Sequence, residues 1–206
     1  MNRLMCSNVN KPQTAFPMNE QIKDLILNYK TQEAFWALAD GVMNDSEKQK
    51  YLLRFLSFKN NVALLIEDVE KIKTLADEGN PYMQYAYARY HEILMPEPKS
   101  KDIIIDYCTK AIAGGVADAH MCIALGWRDG DFGEVDHKRY IDEYRKALEE
   151  GSIRALYHHV FLLISGEYDI KADPKKGKNA VAIFDDGRCG FVTRTLNSKN
   201  AHILLL

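Results

Sequence analysis

Neither sign of charge dominates this chain: 27 Lys and Arg stand against 29 Asp and Glu over 206 residues, a formal net charge of −2. A surface that neutralises phosphates needs a basic excess, so nucleic acid is disfavoured as a partner. Cysteine is scarce as well. Cys6, Cys108, Cys122 and Cys189 form no CxxC pair and no regular framework, which points to a reducing, cytoplasmic setting rather than a disulfide-stapled secreted domain. Long apolar runs are missing: Val62–Ile66 and Val160–Ile164 hold five residues each, against the ~20 that a membrane-spanning helix needs. Residues 1–17 hold Arg3, Asn8, Asn10, Lys11, Pro12, Gln13 and Pro17 and so lack the apolar stretch of a signal peptide. What remains, 47% apolar and 10% aromatic, is the composition of a folded globular chain.

Catalytic signatures are absent too. No GxxxxGK[ST], HExxH or GxSxG occurs. Asp131-Phe132-Gly133 spells a kinase metal-binding triplet, but no HRD loop or glycine-rich strand accompanies it, and it reads as a turn between helices. His158 and His159 are adjacent, so on a helix they point ~100° apart, and no His or Cys stands at i+4 to complete a metal pair. Cys189, between Arg188 and Gly190, has no base assigned to it. The reading therefore assigns no catalytic residue, no metal ligand and no cofactor.

The even balance hides a division along the chain. Residues 60–170 carry 12 basic and 20 acidic side chains, a net −8, while 1–59 and 171–206 are net positive by two and four. Such a field attracts basic partners and repels phosphates; it equally serves as a solvated face that keeps the chain soluble.

Glycine carries the strongest signal. Gly79, Gly115 and Gly151 are spaced by 36, each closing an Ala-containing run: Thr74-Leu75-Ala76-Asp77-Glu78, Lys110-Ala111-Ile112-Ala113-Gly114 and Lys146-Ala147-Leu148-Glu149-Glu150. Gly41 lies 38 before this series and Gly187 lies 36 after it. After each glycine a helical apolar pattern begins, over Pro81–Leu94, Ala119–Trp127 and Ala155–Ile164, and Gly130 and Gly166, again 36 apart, stop the last two. A second helix then leads to the next phased glycine, over Val62–Glu78, Lys101–Ala113, His137–Glu150 and Pro174–Asp186, with Asp136 and Asp173 as N-caps. Ala119 and Ala155 are small where neighbouring helices must approach closely. Each unit is a helical hairpin, and stacked hairpins that bury their apolar stripes against one another make an all-α solenoid of antiparallel helix pairs.

Ala119, Ile123-Ala124, Trp127 and Gly130, followed by Tyr144-Arg145-Lys146-Ala147 and Gly151, resemble the Sel-one-like repeat, a relative of the tetratricopeptide repeat. The neighbouring units match less fully: Ala155 and Gly166 are retained, but His159, Val160 and Leu163 replace the usual Leu, Gly and aromatic. The resemblance implies a right-handed superhelix that serves as an adaptor surface, often in bacterial or signalling assemblies, with no chemistry of its own. One branch of that family cross-links each repeat with a cysteine pair near the helix junction. Cys108 and Cys122, 14 apart, do not match that pair and are expected as small core side chains.

The chain divides accordingly into a loose arm (1–17), a degenerate helical cap (18–59), the repeat domain (60–187) and a tail (188–206). In the cap, Asn19, Thr31 and Ser46 are read as N-caps of three helices. For the tail, a capping helix and a short β-hairpin about Asp185-Asp186-Gly187 both remain open. Projecting the repeat places Gln84, Arg89, Tyr90, His120, Asp129, His158 and Ser165 on the inner, concave face, where a partner segment would bind. The function expected first is a non-catalytic scaffold that binds a protein or peptide on that face, with the acidic segment favouring a basic one. Two alternatives stand beside it: an inhibitor or immunity-type protein capping one cognate partner, and a degenerate-repeat hydrolase.

Overall fold

The computed structural model describes residues 20–95, 101–168 and 170–176. Over these residues the chain is all-helical, with no strand. Three helices open it: α1 (Glu20–Leu27), α2 (Thr31–Ala39) and α3 (Ser46–Leu56). A short α4 (Lys59–Ala63) leads to three pairs: α5 (Val69–Asp77) with α6 (Pro81–Leu94), α7 (Lys101–Ala113) with α8 (Ala119–Asp129), and α9 (His137–Glu149) with α10 (Ile153–Ser165). Adjacent helices pack side by side from α5 to α10, and α10 also meets α3.

Local chemistry sets these boundaries. At the start of α6 the Asn80 carboxamide oxygen accepts the N–H groups of Tyr82 and Met83, and Pro81 takes the first helical position, where its missing donor costs nothing. Asp136 caps α9 by accepting from the Arg139 N–H, and the Ser152 hydroxyl caps α10 by accepting from the Ala155 N–H. Gly79, Gly115 and Gly151 follow α5, α7 and α9 with φ of +96°, +88° and +83°, a region closed to most side chains. The residue after each makes the same backbone bond five residues back: Asn80 to Leu75, Val116 to Ala111 and Ser152 to Ala147, at 3.1, 2.9 and 2.8 Å. That bond answers a carbonyl of the last helical turn and reverses the chain. Gly130 and Gly166 end α8 and α10 in the same left-handed conformation.

Three expectations are corrected. The helix expected over Val62–Glu78 is broken: α4 ends at Ala63, and a single 3₁₀ turn at Ile66–Asp68 precedes α5. In the run between them Leu65 is buried while Leu64 and Ile66 are exposed, so burying Leu65 takes precedence over helical continuity. Asp45, not Ser46, caps α3; its carboxylate accepts the N–H groups of both Glu47 and Lys48. Thr31 is the first residue of α2 rather than its cap. Asp173 does accept the Lys176 N–H at the start of a helical turn, but the rest of the expected helix to Asp186 lies outside the described residues. So do the arm (1–17), Asn19, Gly187 and the tail (188–206).

Two apolar clusters hold the helices. The larger runs from α1 to α8 and includes Phe35, Leu38, Leu52, Leu56, Leu65, Ile72, Met83 and Tyr85, each 1% exposed or less. The smaller joins α8, α9 and α10 through Met121, Ala124, Tyr140, Tyr144, Ala147, Ala155 and Leu162. Trp127 packs against both. Full burial of a Leu, Ile or Phe side chain is worth about 1.5–3 kcal/mol, so these contacts dominate the stability of each helix. Ala88, Ala119, Ala124 and Ala155 are completely buried, as close helix approach requires. Cys108 and Cys122 are buried free thiols, and burial pushes the Cys108 thiol up, reinforced by its contact with Cys122.

Candidate interaction surface

The residues projected onto the inner face separate into two groups. Gln84, Arg89 and His120 are buried rather than open. Gln84 donates its amide to the Ala76 carbonyl at 3.0 Å, closing the end of α5. Arg89, 1% exposed, donates Nε to the Leu56 carbonyl at the end of α3 (3.0 Å) and pairs with Glu92. His120 Nδ1 lies 2.6 Å from Glu143, while its Nε2 is 3.4 Å from Glu150 and forms no hydrogen bond. The physical reason is that α6 is enclosed: it packs on α3, α4, α5, α7 and α8, and every side chain from Pro81 to Arg89 is buried. A projection that reserves one face of that helix for solvent misplaces it.

The second group is accessible. Tyr90 is half-buried, with its ring edge-on to His91 at 5.5 Å. Asp129 is exposed and held by Arg128 through two bonds of 2.7 and 2.9 Å. Ser165 is exposed. His158 is half-buried, with Nε2 2.7 Å from the Tyr140 hydroxyl. Burial, helped by the Arg128 and Arg154 charges, lowers its pKa to about 4, so the imidazole is neutral at pH 7. His159 pairs likewise with Tyr144 at 2.5 Å.

A buried polar cluster joins α6, α8 and α10. Arg154 on α10 grips Glu92 on α6 at 2.6 and 3.2 Å and reaches the Cys122 sulfur at 3.2 Å. Its backbone N–H donates to the buried Asp118 at 2.8 Å. Burial alone would raise the Glu92 pKa, but the Arg154 and Arg89 guanidiniums outweigh it and hold the carboxylate well below its ordinary range. The Tyr85 hydroxyl, fully buried beside this cluster, has no hydrogen-bond partner among the described residues. These groups answer one another and tie α3, α6, α8 and α10 together.

An open groove lies elsewhere, between α7, α8 and α9. It encloses about 420 Å³ and is lined by Ile105, Ile123, Trp127, Arg139, Asp142, Glu143 and Lys146. Ile105, Ile123 and Trp127 form its apolar floor. The Trp127 indole is fixed on three sides: Arg139 stacks on it at 4.4 Å, the Lys101 ammonium lies 5.1 Å above it, and Phe132 meets it edge-on at 5.3 Å. Phe132 in turn covers Gly126, leaving no room for a side chain there. The Asp131-Phe132-Gly133 triplet is a turn that buries its phenyl ring.

Sequence reasoning places Trp127 in the repeat pattern but misses the groove, because the pattern treats the outer helices as solvated. Its signal is Ile105, at the end of the Ile103-Ile104-Ile105 run, and Trp127, both half-exposed, beside charged positions of α9. Among the described residues no three His, Cys, Asp or Glu side chains gather as metal ligands would, and no helix is long and apolar enough to cross a membrane.

No protein-family model matches this chain, and no curated protein matches its sequence.

Proposed function

We propose that this chain is a non-catalytic protein-interaction module, a right-handed solenoid of 36-residue helix pairs akin to Sel-one-like repeats, which binds a segment of a partner protein. The observation that carries the reading is the groove between α7, α8 and α9, an apolar floor with a rigidly held tryptophan inside a charged rim. Interfaces of this kind concentrate their energy in aromatic and Arg anchors at the centre of a ring of polar contacts. The backbone bond repeated after Gly79, Gly115 and Gly151 supports the repeat assignment. The groove is preferred to the projected inner face because three residues of that face, Gln84, Arg89 and His120, are buried.

Selection from a displayed library of random peptides tests this reading. Wild-type protein should enrich a recognisable sequence class, and both Trp127→Ala and Ile105→Arg should lose that class by about thirtyfold, the effect of removing one strong interface anchor. Circular dichroism of both variants keeps the comparison to folded protein. Equal enrichment by the variants, or no enriched class, contradicts the reading.

A further inference from the structure

The charges around the groove have definite partners, with one exception. Arg139 stacks on Trp127 and lies 3.3 Å from Asp136. Glu143 is shared between His120 at 2.6 Å and Lys146 at 2.7 Å; the His120 contact, then that of Lys146, draws its pKa below the ordinary carboxylate value against the opposing effect of burial. Lys146 is thereby answered as well. The Lys101 ammonium donates to the Phe132 carbonyl at 3.1 Å. Asp142 alone among the lining charges makes no hydrogen bond or ion pair with any described residue, and it is exposed beside the apolar floor. An exposed carboxylate needs no partner to be stable in water. Its nearest counter-charge, Lys146 one turn along α9, is already bonded to Glu143, so whatever covers the floor meets a carboxylate with no hydrogen bond of its own, within a segment of net charge −8 over residues 60–170.

We propose that the groove takes a short partner segment in which an aromatic or long aliphatic side chain is followed closely by Lys or Arg. The apolar side chain lies on Ile105, Ile123 and Trp127, and the cation pairs with Asp142. A half-open groove of about 420 Å³ floored by three side chains suits a short segment. An acidic segment is rejected twice, by Asp142 at contact and by the surrounding field at longer range. This inference rests on the reading of the chain as a peptide-binding module and names the chemistry of its partner.

The test uses two synthetic peptides, N-acetyl-Ser-Gly-Phe-Leu-Lys-Lys-Ser-amide and its counterpart with Glu in place of both lysines. The chain contains two tryptophans, so Trp36→Phe leaves Trp127 as the sole indole reporter of occupancy. The lysine peptide should bind about three- to fivefold more tightly at low salt, the range of an exposed ion pair, and the gap should close near 0.5 M salt. Asp142→Lys, a change at an exposed helix position, should reverse the order of the two peptides while leaving the helical spectrum unchanged. Equal affinities, an order that Asp142→Lys does not move, or no binding of either peptide overturns the proposal. If library selection still depends on Trp127 in any of those cases, the partner chemistry alone is wrong. Loss of that dependence removes the module reading itself.

Discussion

Arg154 on α10 grips Glu92 on α6 through two hydrogen bonds, 2.6 and 3.2 Å long, across 62 positions of sequence. Glu92 also pairs with Arg89, whose other contact is the end of α3. One carboxylate thus holds two guanidiniums where the last described helix meets the third. Its removal leaves two cations desolvated and facing each other. Glu92→Gln should cost about 3–5 kcal/mol, the range for breaking a buried ion pair from one side. Arg128→Ala, which removes the more exposed pair with Asp129, should cost about 1 kcal/mol or less. Urea denaturation of the two variants checks the contrast, and similar losses would contradict it.

Gly126 and Phe132 pack in direct contact beside Trp127. A Cβ built on Gly126 would lie 2.3 Å from the Phe132 ring, so Gly126→Ala should force the ring outward and cost about 1–3 kcal/mol. The double change Gly126→Ala with Phe132→Ala should be less than additive, since the smaller residue removes the clash. Ala119, fully buried at the start of α8, should respond to Ala119→Leu by a similar amount. Thermal melts of these variants decide the matter; unchanged midpoints would mean that the helix register is wrong.

Acid should loosen α10 before it unfolds the rest. The Tyr140 hydroxyl is hydrogen-bonded to His158 Nε2 and the Tyr144 hydroxyl to His159 Nδ1, in surroundings that disfavour a charge on either ring. Burial lowers both pKa values, that of His158 to about 4, and Arg128, Arg154 and His159 add to the effect at His158 while Asp129 opposes it. A histidine whose folded pKa lies below the unfolded value of about 6.5 leaves more protons on the unfolded chain, so stability falls as pH drops from about 6.5 to 4. His158 should account for on the order of 1–2 kcal/mol of this, after allowance for its partial exposure. Glu92, with its pKa held low, adds its own loss only below the ordinary carboxylate range. His158→Phe should therefore flatten the stability profile between pH 6.5 and 4 while leaving the steeper loss at lower pH. Urea midpoints across that range measure it, and an unchanged slope would contradict the assignment.

The helix pairs were legible because their punctuation is local. Asn80 with Pro81, Asp136 and Ser152 start helices, and five glycines at positive φ end them, so the bounds of α6 and α7 follow from the sequence to the residue. The surface was not legible. Arg89 is a long cation at a position that repeat geometry turns inward; its partner Glu92 stands one turn along α6, but nothing near it in sequence shows that the Leu56 and Ser57 carbonyls also hold it or that Arg154 shares Glu92. Those carbonyls lie 33 and 32 residues before Arg89, and Arg154 lies 62 residues after Glu92. The break at Leu64–Asp68 was hidden for a similar reason: an apolar run has the same pattern whether one leucine is buried or three.

The central claim is that a partner segment engages the outer groove and not the inner face. A nuclear magnetic resonance titration of isotope-labelled protein with the Phe-Leu-Lys-Lys peptide tests it most directly. The account predicts amide and side-chain shifts confined to Ile105, Ile123, Trp127, Asp142 and Lys146, with Arg89, Glu92 and Arg154 unmoved. Shifts centred on Arg89, Glu92 and Arg154, with Trp127 unaffected, would contradict it.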